Sequence, residues 1–125
     1  MKAIRINVYD RTITEVDLGE NSLKGMQKIV GGNIELAFGV KLGDNGDALF
    51  VNEEGLLNNP QAFQMWYYEA GEKYLVFAGN GVIVGTDDEG ETVDVKVKAE
   101  NVKRLLEFGD INTIQFYAAL GRIAN

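Results

Sequence analysis

The sequence has no cysteine and no histidine, and only one serine and one proline occur among its 125 residues. Without cysteine, neither disulfide bonds nor thiolate chemistry are possible, and nothing indicates an oxidising compartment. Without histidine, the chain lacks the usual group for proton transfer near neutral pH and the commonest ligand of transition metals. Ser22 therefore has no base with which to form a hydrolytic triad. We predict a protein that binds rather than catalyses, with no cofactor and no metal.

Long hydrophobic runs and an export signal are also missing. The longest apolar runs have only a few residues, as in Val82–Val84, whereas a membrane-spanning helix needs about 20. The residues from Met1 to Arg5 alternate in polarity and do not form the apolar block of a signal peptide. We expect a cytoplasmic protein without a membrane partner.

Acidic residues are concentrated in the middle of the chain. The net charge is −7, but the segment from Leu42 to Val95 holds eleven acidic residues and one basic residue, a formal charge of −10. The two flanks together carry +3. An acidic middle repels nucleic acid and favours basic protein partners, whereas the basic ends suit a small anion. An acidic surface that only aids solubility is the alternative.

Hydrophobic periodicity predicts a hairpin, a helix and a strand in the first third of the chain. Apolar residues alternate over Lys2–Tyr9, and a short strand over Thr12–Leu18 completes the hairpin. A helix is predicted from Asn21-Ser22, whose side chains suit an N-cap, to Gly31-Gly32, where positive φ angles cost least. The strand predicted over Asn33–Lys41 alternates most regularly. Its expected core face consists of Ile34, Leu36, Phe38 and Val40.

The middle of the chain predicts further antiparallel strands. Asn45-Gly46 is favoured hairpin-turn chemistry and joins the strand at Asn33–Lys41 to one at Ala48–Asn52. Asn52–Pro60 is polar and is predicted to be an ordered surface loop. The remaining strands of this region are expected at Met65–Tyr68 and Tyr74–Phe77, which form a second hairpin, and at Val82–Thr86.

The last third of the chain predicts one more strand and one or two helices. Alternation after the acidic turn places three valines on one face and Asp94, Lys96 and Lys98 on the other. A helix is predicted over Ala99–Phe108, with Gly109 as its stop. A second helix is predicted over Ile111–Ile123.

These elements predict an α+β fold in a single domain of residues 1–125. We expect a mostly antiparallel twisted sheet or partial barrel of about six to eight strands, one short internal helix, and one or two C-terminal helices. Residues 109–125 would form a helical extension of the core at residues 1–108. The apolar residues of that extension suggest a homo-oligomer that pairs through it.

The order of short segments resembles a known family. Met1-Lys2-Ala3-Ile4 is followed by Val30-Gly31-Gly32-Asn33-Ile34-Glu35, then by Asn52-Glu53-Glu54-Gly55 and Val82-Ile83-Val84-Gly85. Over Met1 to Phe108 this order is similar to proteins of phages, plasmids and conjugative elements catalogued as domain of unknown function 3846. The resemblance implies a mobile-element setting, in which small proteins without enzymatic groups often counteract host defences. If a phage encodes the chain, the expected location is the host cell cytoplasm.

The candidate binding residues are aromatic and basic. The densest aromatic stretch surrounds the second predicted hairpin, and strand alternation makes either Trp66 with Tyr68 or Met65 with Tyr67 the more exposed pair. A base can stack on such rings, although core packing is the commoner explanation. Lys96 and Lys98 would share a strand face that could meet a phosphate. The full set of predicted ligand-binding residues is Asn52, Trp66, Tyr68, Phe77, Lys96, Lys98, Arg104 and Arg122.

The acidic and glycine-rich segments predict turns rather than catalytic or metal sites. Asp44–Asp47 and Asp87–Glu91 lack the spacing of a calcium loop and its distant bidentate glutamate. The pattern Gly79-x-Gly81-x-x-x-Gly85 precedes a strand and does not match the dinucleotide fingerprint.

Two functions remain open from the sequence. The leading hypothesis is a counter-defence protein that sequesters a nucleotide-derived immune signal, with aromatic rings on the base and Lys or Arg side chains on phosphate. The alternative is an acidic inhibitor, a DNA mimic or anti-CRISPR-like protein, that binds a host nuclease or another defence protein. Neither hypothesis involves direct binding of nucleic acid.

Overall fold

The computed structural model of the protein describes residues 1–37, 46–55, 61–68 and 72–110, except for the side chains of residues 64, 66–68 and 72–74. These ranges contain nine strands and two helices. The strands are β1 (Lys2–Asn7), β2 (Thr12–Asp17), β3 (Ile34–Leu36), β4 (Asp47–Asn52), β5 (Gln61–Tyr68), β6 (Glu72–Ala78), β7 (Gly81–Thr86), β8 (Thr92–Val93) and β9 (Leu106–Asp110). The helices are α1 (Ser22–Val30) and α2 (Ala99–Arg104).

The strands form two sheets, and every pairing between them is antiparallel. The central sheet has the order β2-β1-β7-β4-β3, with the short β8 also paired to β7. The second sheet has the order β6-β5-β9. The predicted α+β class and antiparallel pairing are confirmed, including the three predicted pairs β1–β2, β3–β4 and β5–β6. The strands divide between two sheets, however, where the sequence predicted one sheet or a partial barrel.

The inner strands β1 and β7 of the central sheet are buried on both faces, which makes this part of the sheet the middle layer of the fold. Ile4 and Ile6 of β1 pack with Phe63 and Met65 of the second sheet. On the opposite face, Ala3 packs with two α1 residues and two β7 residues, namely Met26, Val30, Val82 and Val84. The regular alternation of β1 therefore does not separate a buried face from a solvent face. Apolar side chains are buried from water on both faces of β1.

Helix α1 begins and ends where the sequence predicts. The Asn21 side chain accepts a hydrogen bond from the Lys24 amide, and Gly31 has a φ of +80° at the C-terminal end. Two side-chain amides then satisfy carbonyl groups of the last turn. Asn52 donates to the Val30 oxygen at 3.1 Å, and Asn80 donates to the Ile29 oxygen at 3.2 Å. These bonds fix α1 against the strand ends and satisfy acceptors that a helix C-terminus leaves open.

Strand β3 is less buried than its sequence predicts. Leu36 retains 38% of its surface, while Ala37, assigned to the opposite face, is 7% exposed. The reason is the position of β3 at the edge of the central sheet, where only one neighbouring strand covers it. The predicted pairing with β4 is confirmed by the register Glu35↔Val51. Phe38, Val40 and the Asn45 position of the turn lie outside the described residues.

The segment after β8 is extended but is not the strand that the alternation predicts. Only Thr92 and Val93 pair with β7. Beyond them the chain crosses the sheet, because the Asp47 carboxylate accepts hydrogen bonds from the amides of Lys96 at 3.0 Å and Val97 at 2.7 Å. The predicted alternation of exposure is nevertheless correct, since Lys96 and Lys98 are exposed and the intervening Val97 is half-buried.

The helix predicted over Ala99–Phe108 is wrong in its second half. Helix α2 ends at Arg104, and β9 begins at Leu106. Leu106 pairs with Met65 and Phe108 pairs with Phe63, so this segment supplies the third strand of the second sheet. Tertiary pairing thus overrides a local pattern compatible with a helix. Neither α1 nor α2, the helices of the described ranges, is long and apolar enough to cross a membrane. The predicted helix over Ile111–Ile123, and any oligomer contact through it, lie outside the described residues.

A pH effect is expected at Asp17, which joins the end of β2 to the start of β1. The Gly19 amide donates to its carboxylate at 2.8 Å and the N-terminal ammonium lies 3.0 Å away, and these contacts hold the pKa of Asp17 below its ordinary value. A lowered pKa in the folded state stabilises the protein above the unfolded-state pKa, and this contribution is lost as the pH falls through the folded-state pKa. We expect Asp17→Asn to lower the urea midpoint at neutral pH. The difference from the parent should shrink in acid, and a constant difference at every pH would contradict this assignment.

Candidate functional site

An open cleft of about 280 Å³ lies where the edges of the two sheets meet. One wall comes from the edge strand β3 and the end of β4, and the other comes from β6, the edge strand of the second sheet. The described lining residues are Glu35, Leu36, Ala37, Val51, Asn52, Glu53, Gly55, Val76, Phe77 and Ala78. These residues are apolar, amide or acidic, and none of them is basic. The cleft therefore favours a ligand that is apolar in part and carries positive charge.

Phe77 is the one predicted aromatic residue whose side chain is described in the cleft. Its register partner in β5 is Phe63, and the two ring centroids lie 5.5 Å apart at an interplanar angle of 39°. Phe77 also packs against the main core and is half-buried. Its ring therefore closes the core on one side and contributes apolar surface to the cleft on the other.

Asn52 lines the same cleft, but its side chain already has structural partners. Its amide donates to the Val30 carbonyl, and its oxygen accepts from the Glu54 amide at 2.8 Å. Glu53 is also held, since its Oε1 accepts from the Asn33 side chain at 3.0 Å. The loop entry after β4 is thereby fixed against the start of β3. Asn52 positions this wall of the cleft, and its carboxamide has little capacity left for a ligand.

Three of the four predicted basic residues, Lys96, Lys98 and Arg104, lie away from this cleft. The Lys96 backbone is bound to Asp47 at the start of β4, whereas Asn52 ends that strand, about 17 Å away at the usual rise per strand residue. Lys98 is the N-cap residue of α2, and Arg104 is the last residue of that helix. Helix α2 packs against β2, which lies about 19 Å from β3 across four strand spacings of the central sheet.

The remaining predicted binding residues are described only in part. Trp66 and Tyr68 occupy β5 positions that pair with Tyr74 and Glu72, but their side chains lie outside the described set. Met65 is fully buried in the core, which excludes Met65 with Tyr67 as the more exposed of the two alternative pairs. Arg122 lies outside the described residues.

A second feature is the acidic turn formed by residues Asp87–Glu91. The Asp87 carboxylate accepts hydrogen bonds from the amides of Glu89 and Glu91, both at 2.9 Å. The Gly90 amide donates to the Asp87 carbonyl at 3.0 Å, and Gly90 adopts a φ of +80°. The turn is therefore ordered by its own first residue, as the sequence-based assignment to a turn predicts.

The other carboxylates of the acidic turn point to solvent. Asp88, Glu89 and Glu91 are exposed, and no hydrogen-bond or ion-pair partner of their carboxylates occurs in the part of the chain that the structure describes. In the same ranges, no group of three acidic residues is arranged to hold a metal ion. The acidic turn thus presents three unneutralised negative charges on a short, ordered piece of backbone.

Sequence reasoning missed the acidic wall of the cleft. Glu35 was assigned to the solvent face of a core strand, and Glu53 was named only as part of the segment Asn52-Glu53-Glu54-Gly55. Both become lining residues because β3 is an edge strand and because the second sheet ends beside it. A strand with a charged residue between apolar ones is typical of a protected edge, and this signal could have suggested that placement.

Comparison with known proteins supports the resemblance drawn from the short segments. The family model described as Domain of unknown function (DUF3846) matches residues 1–107 of the chain. No curated protein and no solved structure matches the chain.

Proposed function

The chain belongs to the family catalogued as domain of unknown function 3846, and on that premise we propose that it is a non-catalytic counter-defence protein that binds a basic surface of a host defence protein. The surface that binds is the acidic turn. This is the second of the two functions that the sequence left open. It is supported by a single observation, the three exposed and unneutralised carboxylates held on an ordered turn.

The order of the turn matters for affinity. Binding of a flexible acidic loop would cost conformational entropy when the loop becomes fixed, whereas a turn fixed by Asp87 has already met that cost. Like charges held close together also produce a stronger local negative potential than scattered charges do, and this potential increases the rate of association with a basic surface. A nuclease channel, which is lined by Lys and Arg to hold phosphates, is the partner class that this charge pattern fits.

The test uses a triple variant that removes charge without altering the turn: Asp88→Asn, Glu89→Gln and Glu91→Gln. Asp87 is left unchanged because its carboxylate orders the turn. Cells that carry individual defence systems and express the protein are challenged with phage. We expect the parent protein to restore plating by more than about tenfold against at least one nuclease-based system, and we expect the triple variant to lose most of this effect.

The matched control removes the same amount of charge elsewhere. Glu15→Gln, Glu20→Gln and Glu100→Gln alter three other exposed acidic residues, and this variant should retain the activity of the parent. Equal activity of the two triple variants would exclude the acidic turn as the binding surface. If the parent protein restores plating against none of the defence systems tested, the proposed function itself is contradicted.

Nucleotide sequestration stays a prediction. It is supported by the ring of Phe77 in the cleft, but the basic residues proposed to hold phosphate lie far from that ring in the described chain. Calorimetry with cyclic nucleotides and cyclic ADP-ribose isomers tests it directly. Binding of one of them, with recovery of the intact compound after heating, would support sequestration, and no binding across the panel would exclude it.

A further inference from the structure

Two residues of β3, beside the cleft, direct their backbone groups away from the neighbouring strand β4. The Ala37 amide donates to the Leu49 oxygen, and the Asn33 oxygen accepts from the Glu53 amide. In an antiparallel ladder the residues that bond to the neighbouring strand alternate with residues that point away from it. Ile34 and Leu36 therefore direct their N–H and C=O groups away from β4, and among the described residues these groups have no hydrogen-bond partner.

The side chains around this edge define what an added strand would meet. On the face toward the second sheet lie Glu35, Ala37 and the half-buried Val76 and Phe77. On the opposite face lies Leu36, which exposes 38% of its surface. Residues directly opposite each other in an antiparallel pair contact through their side chains. A basic side chain opposite Glu35 and an apolar side chain opposite Leu36 would complement both faces.

We propose that the cleft binds an extended segment of another protein, with alternating basic and apolar residues, that adds to the central sheet as a strand beside β3. Backbone hydrogen bonds to Ile34 and Leu36 hold the segment, and side chains on alternate positions select it. The basic side chains lie against Glu35 and Glu53, while their aliphatic stems pack on Phe77. This site is separate from the acidic turn, and it does not depend on the function proposed for that turn.

The charge of the cleft decides between occupants. The described lining carries two carboxylates and no base, so an acidic segment or a nucleotide would bring like charges together without compensation. An entirely apolar strand would neutralise neither carboxylate, although the Asn33 side chain still donates a hydrogen bond to Glu53. In a segment of alternating basic and apolar residues, the basic side chains neutralise the carboxylates and the apolar side chains cover Leu36.

The probe is a short peptide of alternating lysine and valine, blocked at both ends, and its binding is measured by calorimetry. We expect saturable binding that weakens as salt is added. The same peptide with N-methylated valines should bind at least about tenfold more weakly, because N-methylation removes the donors that pair with the β3 edge. A peptide of alternating glutamate and valine should not bind.

Variants of the protein test the same contacts from the other side. Leu36→Pro removes an N–H that points away from β4, and proline is tolerated at such an edge position. We expect this variant to lose binding by about tenfold or more, whereas Leu36→Ala, which keeps the N–H, should lose less. Glu35→Gln should weaken binding and reduce its salt dependence. The matched control is Glu20→Gln, at an exposed acidic residue just before α1 and outside the cleft lining.

Several results would overturn the proposal. These are no binding of the lysine–valine peptide, equal binding of the N-methylated or the glutamate–valine peptide, or unchanged binding by folded Leu36→Pro. If Leu36→Pro fails to fold by circular dichroism, the N-methylated peptide decides the question alone. The triple variant of the acidic turn should bind the peptide as the parent does, so failure of this site and failure of the proposed function are distinguishable.

Discussion

Replacement of Phe63 by alanine is expected to lower the free energy of unfolding by about 3–5 kcal/mol, the usual cost of removing a buried phenylalanine. Phe63 is fully buried and lies at the centre of the second sheet, paired with Phe77 on one side and Phe108 on the other. Its ring also lies directly beneath Gly81 of the central sheet, where an added Cβ would come within 3.0 Å of the Phe63 Cζ. The side chain thus fills the space between the layers.

The expected loss is large compared with the stability of a small domain, which is typically about 5–15 kcal/mol in total. The urea midpoint should fall strongly, and near-ultraviolet circular dichroism should lose intensity as Phe77 loosens. Leu23→Ala is the control, because Leu23 is 49% exposed on α1 and alanine favours a helix. If both variants unfold at the same urea concentration, the second sheet does not pack on the central sheet as described.

Replacement of Gly85 by alanine should cost about 1–3 kcal/mol, which is the range found when a well-packed site is overfilled. The Asp94 carbonyl lies so close to Gly85 that an added Cβ would clash with backbone oxygen. The chain from Asp94 to Val97 would have to move, and with it the hydrogen bonds of Val95 to the Lys2 oxygen and of Val97 to the Asp47 carboxylate. Backbone gives way less easily than a flexible side chain, so we expect the upper part of this range.

The control for this variant is Gly90→Ala, where no atom lies within 4 Å of the added Cβ and only the φ of +80° opposes the change. Urea unfolding compares the stabilities, and amide chemical shifts report the position of the segment. Gly85→Ala should shift the amides of Lys96 and Val97, whereas Gly90→Ala should affect only the acidic turn. Unshifted amides at Lys96 and Val97 would show that the chain does not cross the sheet at Gly85.

Local elements were predictable from the sequence where local chemistry decides them. The first hairpin, helix α1 with its Asn21 cap and Gly31 end, and the hairpin of β5 and β6 all follow from short-range patterns. Helix α2 was predicted to continue to Phe108, and it stops at Arg104 because the following residues complete the second sheet. The pairing of this segment with β5 is a long-range contact. Apolar residues that recur every three or four positions in the sequence carry no information about such a contact.

Some residues of the candidate site were predictable from the sequence, but their arrangement in space was not. Phe77 and Asn52 were identified from the sequence, and both line the cleft. The lysines grouped with them lie elsewhere, because the Lys96 amide donates to the Asp47 carboxylate at the other end of β4. Glu35 was identified as a solvent-facing residue of a regular strand. It lines a cleft because the second sheet ends beside β3. The sequence of a single strand does not show how many strands a sheet has or which of them lies at its edge.

The sequence by itself excluded a thiol or histidine centre, gave the family, and determined an acidic chain with antiparallel α+β elements, because composition and short-range patterns decide these features. The tertiary structure alone decided that the described strands form two sheets, that both faces of β1 are buried, and that the described lining of the cleft is acidic rather than basic. These features depend on which strand lies at the edge of a sheet and on the close contact between Gly85 and the segment after β8 that crosses the sheet. Such contacts join residues far apart in the chain, so the periodicity of one segment cannot reveal them.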